Sequence, residues 1–241
     1  TVTPIGGTTT AAADIVFVFD TTGSMGSALT SVQNSIIAFV DFVRDRGLDV
    51  RVGAVTFGDA YDTVALGGTR GVSLRGDTPP SFDPDERPTF PLSDDYEGFE
   101  DFIAGDSPRG GGDSAENALG ALEFAYDNME WRAGAQRILI VIMDIYSHND
   151  ATYSGSWHED WLPSDPADVL AKLQGNATVH VVAPEFAWDI TPFTDMAMFA
   201  GVAGTGGVYF PWSFGAFDLT ELPIAEVAGG YIVTFRGTRD G

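Results

Sequence analysis

Fully apolar segments alternate along this chain with segments whose apolar residues recur every three or four positions. Ile15–Phe19 is a continuous apolar run, as expected of a parallel strand that is buried on both faces. Apolar residues then recur at helical spacing from Leu29 to Val43, and Gly47 stands where a helix commonly ends. Val50–Phe57 is mostly apolar again. The pattern therefore predicts a strand, a helix and a second strand.

The same alternation continues along the rest of the chain. Further strands are predicted at Thr89–Leu92, Arg137–Met143, Ala177–Ala183, Gly207–Phe210 and Gly230–Arg236. Further helices are predicted at Tyr96–Ala104, Ala115–Met129, Ala167–Gln174, Thr194–Ala203 and Leu219–Val227. Strands that alternate with helices are typical of βαβ units. We therefore predict an α/β fold with a doubly wound, mostly parallel central sheet and helices on both faces.

Length and composition favour one large domain with a linker at each end. The chain has 241 residues, of which 44% are hydrophobic, enough to bury a substantial core. Residues 1–13 are rich in Thr, Gly and Ala and are predicted to be a linker. Residues 14–228 form the predicted domain, and residues 229–241 an extra strand and a linker to a following domain. The Gly-, Pro- and Asp-rich residues 58–95 are interpreted as an insertion loop.

Acidic residues far outnumber basic ones, 35 against 12, which gives a formal charge of −23. Such a chain does not neutralise phosphates, so binding to nucleic acid or directly to an anionic membrane is not expected. The acidic surface fits an extracellular, Ca²⁺-rich setting; a salt-rich habitat, or a GC-rich genome with a solvated surface, explains it as well. Cysteine is absent, which excludes disulfides and thiolate metal sites.

The candidate chemistry lies directly after the first predicted strand. That strand ends in Asp20, and two hydroxyl residues follow at every second position, Thr22 and Ser24. Carboxylate and hydroxyl oxygens suit hard divalent cations, and Mg²⁺ usually keeps some coordination positions for water or a ligand. Ligands of doubly wound sheets bind at the carboxyl ends of the strands. We therefore predict a cation site here.

Two more acidic features belong to the same edge of the predicted sheet. Asp144 ends the central aliphatic strand, and a Gly-rich loop carries Asp113 and Glu116 into a helix. Each acid also has a plainer interpretation. Asp20, and Asp113 or Ser114, are good helix caps, Glu116 suits a first helical turn, and Asp144 suits a loop.

The spacing Asp20-x-Thr22-x-Ser24 resembles the Asp-x-Ser-x-Ser signature of the von Willebrand factor type A family, with threonine where serine is usual. The resemblance covers roughly residues 14–228 and implies a Rossmann-like von Willebrand A fold. It also implies a metal-ion-dependent adhesion site that holds Mg²⁺ or Mn²⁺. Asp144 matches the last metal aspartate of that family.

The middle loop is similar to that of integrin β subunits. Asp113-Ser-Ala-Glu116 resembles their Asp-x-Pro-Glu segment, and Ser147 with the following histidine is similar to that branch too. The resemblance implies that Glu116 reaches the principal cation. Asp113 either takes the position of the family's threonine or serves a neighbouring Ca²⁺. Ser27 and Ala28 stand where integrin β chains carry paired acids, so we expect their regulatory Ca²⁺ site to be absent.

The resemblance implies a binding module rather than an enzyme. A protein partner would place an acidic side chain in the open coordination position, and the module would belong to a multidomain, extracellular or cell-surface protein. One alternative is a spacer domain whose metal only stabilises the fold. Another is a metal-dependent hydrolase, which is disfavoured because Thr22 stands where aspartyl phosphatases need a second aspartate. Lys172, the only lysine, is also predicted to lie far from the site.

Overall fold

The computed structural model describes residues 12–58, 89–108, 116–147, 164–184, 196–212 and 218–222. The strands are β1 (Ala13–Asp20), β2 (Val50–Phe57), β3 (Thr89–Ser93), β4 (Gln136–Ile142), β5 (Thr178–Pro184) and β6 (Tyr209–Trp212). The helices are α1 (Leu29–Asp45), α2 (Tyr96–Gly105), α3 (Ala118–Asn128) and α4 (Pro166–Leu173), with short 3₁₀ helices at Gly23–Ser27 and Leu219–Glu221. No helix in these ranges is long and apolar enough to cross a membrane.

The strands form one six-stranded sheet in the order β3-β2-β1-β4-β5-β6. β3 is antiparallel to β2, and the other neighbouring strands pair in parallel. The chain builds outward from β1 to β2 and β3 and then returns to the other side of β1 with β4. The strand order therefore reverses between β1 and β4, which confirms the predicted doubly wound, mostly parallel sheet.

The sheet is buried on both faces, which explains the continuous apolar run of β1. Ile15 and Phe17 face the layer of α1 and α2, where the ring of Phe17 meets that of Phe39 with centroids 5.8 Å apart. Val16 and Val18 face the opposite layer, formed by α3 and α4. Because both faces are covered, every position of this strand favours an apolar side chain.

Local signals in the sequence fix several helix ends. Gly47 has φ +61° and its N–H donates to the carbonyl of Arg44, so it is the predicted residue just after α1. The Asp95 carboxylate caps α2 by accepting from Gly98 N–H at 3.0 Å. Asp165 caps α4 and accepts from Ala167 N–H at 2.7 Å.

Gly53 marks a close approach between β2 and the antiparallel edge strand β3. The pairing register shifts between Val52 and Ala54, as in a β-bulge. A Cβ atom at Gly53 would lie 3.1 Å from the carbonyl oxygen of Phe90 and 3.2 Å from the Leu92 nitrogen. Glycine at this position therefore lets β3 join the sheet at its edge.

The predicted helix Thr194–Ala203 is wrong beyond residue 197. The chain turns at residues 198–199, and Ala200 forms an isolated bridge with Gly207. Thr205 fixes this turn because its N–H and its hydroxyl both donate to the carbonyl of Phe199, at 2.9 and 2.7 Å. Gly201, with φ +76°, supplies the left-handed conformation that the turn requires.

Two other predicted helices are shorter in the described residues. Glu116 lies in an isolated bridge, and the helix predicted from Ala115 is seen from Ala118. Of the predicted last helix, Leu219–Glu221 forms a 3₁₀ turn, and Leu222 is extended with ψ 141°. A residue that precedes proline is pushed out of the helical region, and residue 223 is proline. The predicted strand Gly230–Arg236 and most of the insertion loop lie outside the described residues.

Candidate metal centre

β1 and β4 bring two aspartates to the point where the strand order reverses. β1 ends at Asp20, and Asp144 follows the end of β4. The two strands are direct neighbours, with Phe19 opposite Ile142 in a parallel register. Both carboxyl groups therefore belong to the edge of the sheet where ligands of doubly wound folds bind.

A row of hydrogen bonds connects these aspartates through two hydroxyl groups. The Thr22 N–H donates to Oδ1 of Asp20 at 2.7 Å. The hydroxyl oxygens of Thr22 and Ser24 are 3.0 Å apart, and the Ser24 hydroxyl donates to Oδ1 of Asp144 at 3.0 Å. Neighbouring oxygen ligands around an octahedral Mg²⁺ are also roughly 3 Å apart, given metal–oxygen distances of about 2.1 Å. The spacing therefore suits a shared cation.

The turn after β1 is held by the adjacent strand and by the core. The N–H and the hydroxyl of Thr21 both donate to the carbonyl of Phe57, at 3.0 and 3.3 Å. Met25 is fully buried in the hydrophobic core and so anchors the 3₁₀ turn. Asp20, Thr22 and Asp144 are buried and Ser24 is exposed, so solvent reaches this row of oxygens at Ser24.

Burial dominates the electrostatics of the site. Asp20 is fully buried, and burial raises the pKa of its carboxyl group from 3.8 to about 7. The hydrogen bond from Thr22 opposes this increase, and the negative charge of Asp144 adds to it. Burial also raises the pKa of Asp144. The ionised site therefore concentrates negative charge where water solvates it poorly.

One oxygen of this site lacks a partner. Within the described part of the chain, Oδ2 of Asp20 is buried without a hydrogen bond, and neither Asp20 nor Asp144 forms an ion pair. When both carboxyl groups are ionised, neither can donate to the other. An unpaired buried carboxylate oxygen is costly, and a cation relieves that cost directly. The residues present therefore fit a hard divalent ion.

Glu116 approaches the rim through backbone contacts. Its N–H donates to the carbonyl of Tyr146 at 3.1 Å, and it forms an isolated parallel bridge with Ser147. The residue as a whole is 3% exposed. The next residue, Asn117, donates its N–H to the carbonyl of Gly58 at 2.9 Å. These bonds join the start of α3 to the loops after β4 and β2.

The structure brings together four of the six predicted ligands. Asp20, Thr22, Ser24 and Asp144 share the row of hydrogen bonds, and Glu116 lies buried next to the loop that follows Asp144. Asp113 lies outside the described residues. In the described ranges, no three His, Cys, Asp or Glu side chains are grouped closely enough to hold a metal by themselves. A site here thus depends on the hydroxyl oxygens.

The plainer interpretations as helix caps do not describe Asp20 and Glu116. α1 begins only at Leu29, and the Asp20 carboxylate serves the turn at Thr22 instead. Glu116 precedes α3 in a bridge rather than in its first turn. Both acids therefore occupy positions that capping does not explain.

Two polar residues support this rim and were not predicted to do so from the sequence. Thr21 fastens the turn to β2, and the Ser147 hydroxyl accepts from the N–H of Leu119 at 3.1 Å. The sequence Asp-Thr-Thr at residues 20–22 could have indicated a supporting role for Thr21. The contact of Ser147 is with a residue 28 positions away, and no local pattern indicates it.

The sheet order and this rim site define the class of the domain: it has a von Willebrand A-like α/β fold. Proximal thread matrix protein 1 from the mussel byssus matches 85% of this chain and 42% of its own, with a TM-score of 0.54 and 16% identity. A structure of that protein described as having a zinc-occupied MIDAS motif, the metal-ion-dependent adhesion site, matches 91% of this chain and 46% of its own. Its TM-score is 0.54 and its identity 16%.

A pilus adhesin has a similar fold. The pilus adhesin SpaC from Lactobacillus rhamnosus GG, in an open conformation, matches 85% of this chain and 28% of its own, with a TM-score of 0.54 and 14% identity. At such identities the similarity shows the fold alone, and this chain spans less than half the length of each of these three structures. Neither a protein-family model nor a curated protein sequence matches the chain.

Proposed function

We propose that this domain is a metal-dependent adhesion module that binds a partner through a divalent cation at the rim of its sheet. One observation carries the proposal. Asp20 is fully buried with an unpartnered oxygen among the described residues, beside a row of hydroxyl and carboxylate oxygens that ends at Asp144. Within the described residues no positive charge pairs with Asp20, so a cation would supply the missing charge.

The principal cation is proposed to be Mg²⁺ or Mn²⁺. The Thr22 and Ser24 hydroxyls would hold it, with Asp20, Asp144 and Glu116 as carboxylate ligands, directly or through water. Asp113 would complete the same site or serve a neighbouring Ca²⁺. The bound cation supplies a Lewis-acid position for an acidic side chain of a protein partner. Hydroxyl ligands are neutral, so the ion keeps more of its attraction for that side chain than it would among carboxylates alone.

Extracellular or surface placement in a multidomain protein is part of this proposal. The solved structures with this fold include a byssus matrix protein and a pilus adhesin, and the chain covers 42% and 28% of their lengths. The excess of acidic residues, 35 against 12, suits such a setting.

A spacer role and catalysis are the alternatives. The Lys172 amino group is 2.7 Å from the Asp127 carboxylate and 3.3 Å from that of Glu123, so it is engaged between α4 and α3 rather than at the rim. This placement disfavours a phosphatase that would use the only lysine to hold phosphate. The spacer alternative shares the metal site and differs only in lacking a partner.

Calorimetric titration tests the metal site. Mg²⁺, Mn²⁺, Ca²⁺ and Zn²⁺ would be titrated into EDTA-stripped wild type, Asp20→Asn and the control Asp101→Asn, which changes an exposed acid on α2. We expect saturable binding in the wild type and the control, and none in Asp20→Asn. Equal binding by all three proteins would reject the site.

Selection from a displayed peptide library tests the adhesion role. Peptides retained by the wild type in Mn²⁺ and released by EDTA should be enriched in Asp or Glu, and Asp20→Asn should retain none of them. Metal binding without any such enrichment would favour the spacer alternative.

A further inference from the structure

The first turn of α3 is capped from outside its own segment. Asn117 occupies the N-cap position with φ −96° and ψ 50°, but its side chain makes no capping hydrogen bond. The Ser147 hydroxyl accepts from the N–H of Leu119 at 3.1 Å instead. Ser147 and Leu119 are 1% and 0% exposed, so water cannot replace this bond without a local rearrangement.

The same residue is joined to Glu116 by backbone pairing. Ser147 forms the parallel bridge with Glu116, and the carbonyl of the preceding residue, Tyr146, accepts from Glu116 N–H. Two contacts, one from the side chain and one from the backbone, therefore fix the start of α3 to a loop that begins at Asp144. Two proposed carboxylate ligands lie on the two segments that this contact joins.

From this arrangement we infer that Ser147 is a positioning residue for the metal centre, which sets the Glu116 carboxylate relative to Asp144 by capping α3. The inference rests on the proposed function, since it assigns a support to that site. Removal of a residue that holds a metal ligand in place commonly lowers the affinity for the metal about 10- to 100-fold. The fold alone does not require this device, since α2 and α4 are capped by Asp95 and Asp165 at their own N-termini.

The direct test compares Ser147→Ala with Asp165→Ala, which removes a helix cap of similar kind on α4. In the metal-free proteins, hydrogen exchange should show faster exchange of the Glu116 and Leu119 amides in Ser147→Ala only. In calorimetry, Ser147→Ala should bind Mn²⁺ about tenfold more weakly than the wild type, and Asp165→Ala should match the wild type within about twofold.

A double-mutant cycle separates positioning from general destabilisation. In a Glu116→Gln background, Ser147→Ala should weaken Mn²⁺ binding no further, because the ligand that it positions is already lost. Water-proton relaxation provides a second readout: Mn²⁺ bound to Ser147→Ala should carry more exchanging water than in the wild type, as in Glu116→Gln.

Three results would overturn the inference. They are Mn²⁺ affinity of Ser147→Ala within about twofold of the wild type, an equal tenfold loss in the Glu116→Gln background, or an equal loss in Asp165→Ala. Each leaves metal binding by the wild type intact. Absence of Mn²⁺ binding by the wild type is a different result, which rejects the proposed function and this inference together.

Discussion

β1 carries a buried aspartate near each end, and the two differ in how their charge is compensated. Asp14 and Asp20 are both 0% exposed. At the amino end, Arg132 donates its backbone N–H to one oxygen of Asp14 and its Nε–H to the other, both at 2.6 Å. The same guanidinium group also pairs with Asp49. At the carboxyl end, Asp20 accepts one N–H, and its second oxygen has no partner in the described residues.

The difference separates a structural charge from a functional one. A buried carboxylate is tolerated when an opposite charge and hydrogen bonds compensate it, and is otherwise neutralised or costly. Asp14 receives its compensation from the chain and so contributes to the fold. Asp20 lacks a counter-ion within the described residues, and its pKa rises to about 7 because it is buried. Among the described residues nothing gives Asp20 what Arg132 gives Asp14, and a bound cation would do so.

The largest effect is expected when the Asp14 carboxylate, which Arg132 compensates, is removed. Asp14→Ala leaves Arg132 without its main partner, so the free energy of unfolding should fall by about 3–5 kcal/mol. Urea unfolding measures this loss. Mn²⁺ affinity of the folded variant should equal that of the wild type. A loss below about 1 kcal/mol would show that Asp14 is not the structural charge that its contacts indicate.

The next largest effect is expected when a cation binds at Asp20. At free Mn²⁺ 100-fold above Kd, the wild type should gain about 2.7 kcal/mol of stability, and Asp20→Asn should gain none. Thermal unfolding with and without EDTA measures both values. The exposed change Asp101→Asn should behave as the wild type. Equal stabilisation of Asp20→Asn would place the ion elsewhere.

Much of the fold could be predicted because its signals are local. A strand buried on both faces produces an unbroken apolar run such as Ile15–Phe19, and the end of α1 follows from Gly47 alone. Asp20, Thr22 and Ser24 are close in sequence, so their spacing already placed them on one turn. Asp144 could be added because parallel strands bring their carboxyl ends to one edge.

The contacts that were missed join distant parts of the chain. Arg132 and Asp14 are 118 positions apart, and Ser147 and Leu119 are 28 apart, so no periodicity reveals either pair. The late start of α3 has the same cause, because the pairing of Glu116 with the loop after β4 competes with helix formation. The overextended helix that was predicted to end at Ala203 is different, since Gly201 within it was a visible breaking signal.

A pH titration of the metal-free protein sharpens the comparison further. The pKa of Asp20 is raised from 3.8 to about 7, so folded protein keeps a proton that unfolded protein loses. The stability from this group is complete below pH 3.8 and is lost as the pH rises through 7. From pH 5 to 7, stability of the wild type relative to Asp20→Asn should fall by about 2 kcal/mol.

The subtraction in that experiment is needed because another buried group has the opposite sign. Burial lowers the pKa of His180 from 6.5 to about 4, so its contribution is complete above pH 6.5 and is lost as the pH falls through 4. His180 is present in both proteins and cancels in the difference. Saturating Mn²⁺ should abolish the Asp20 slope, and a difference that does not vary with pH would contradict the raised pKa.

The smallest expected effect tests whether the two ends of β1 are independent. Arg132→Lys keeps the positive charge near Asp14 but loses the planar fork, which also donates to the carbonyl oxygens of Ala13 and Asp49 at 2.8 and 3.2 Å. Stability should fall by about 1 kcal/mol, measured by urea unfolding, because several hydrogen bonds weaken while the ion pair persists. Mn²⁺ affinity should stay within about twofold of the wild type, since β1 separates this contact from the rim. A larger change in affinity would show that strain at the amino end of β1 reaches Asp20, and that the structural and the functional aspartate are coupled through their strand.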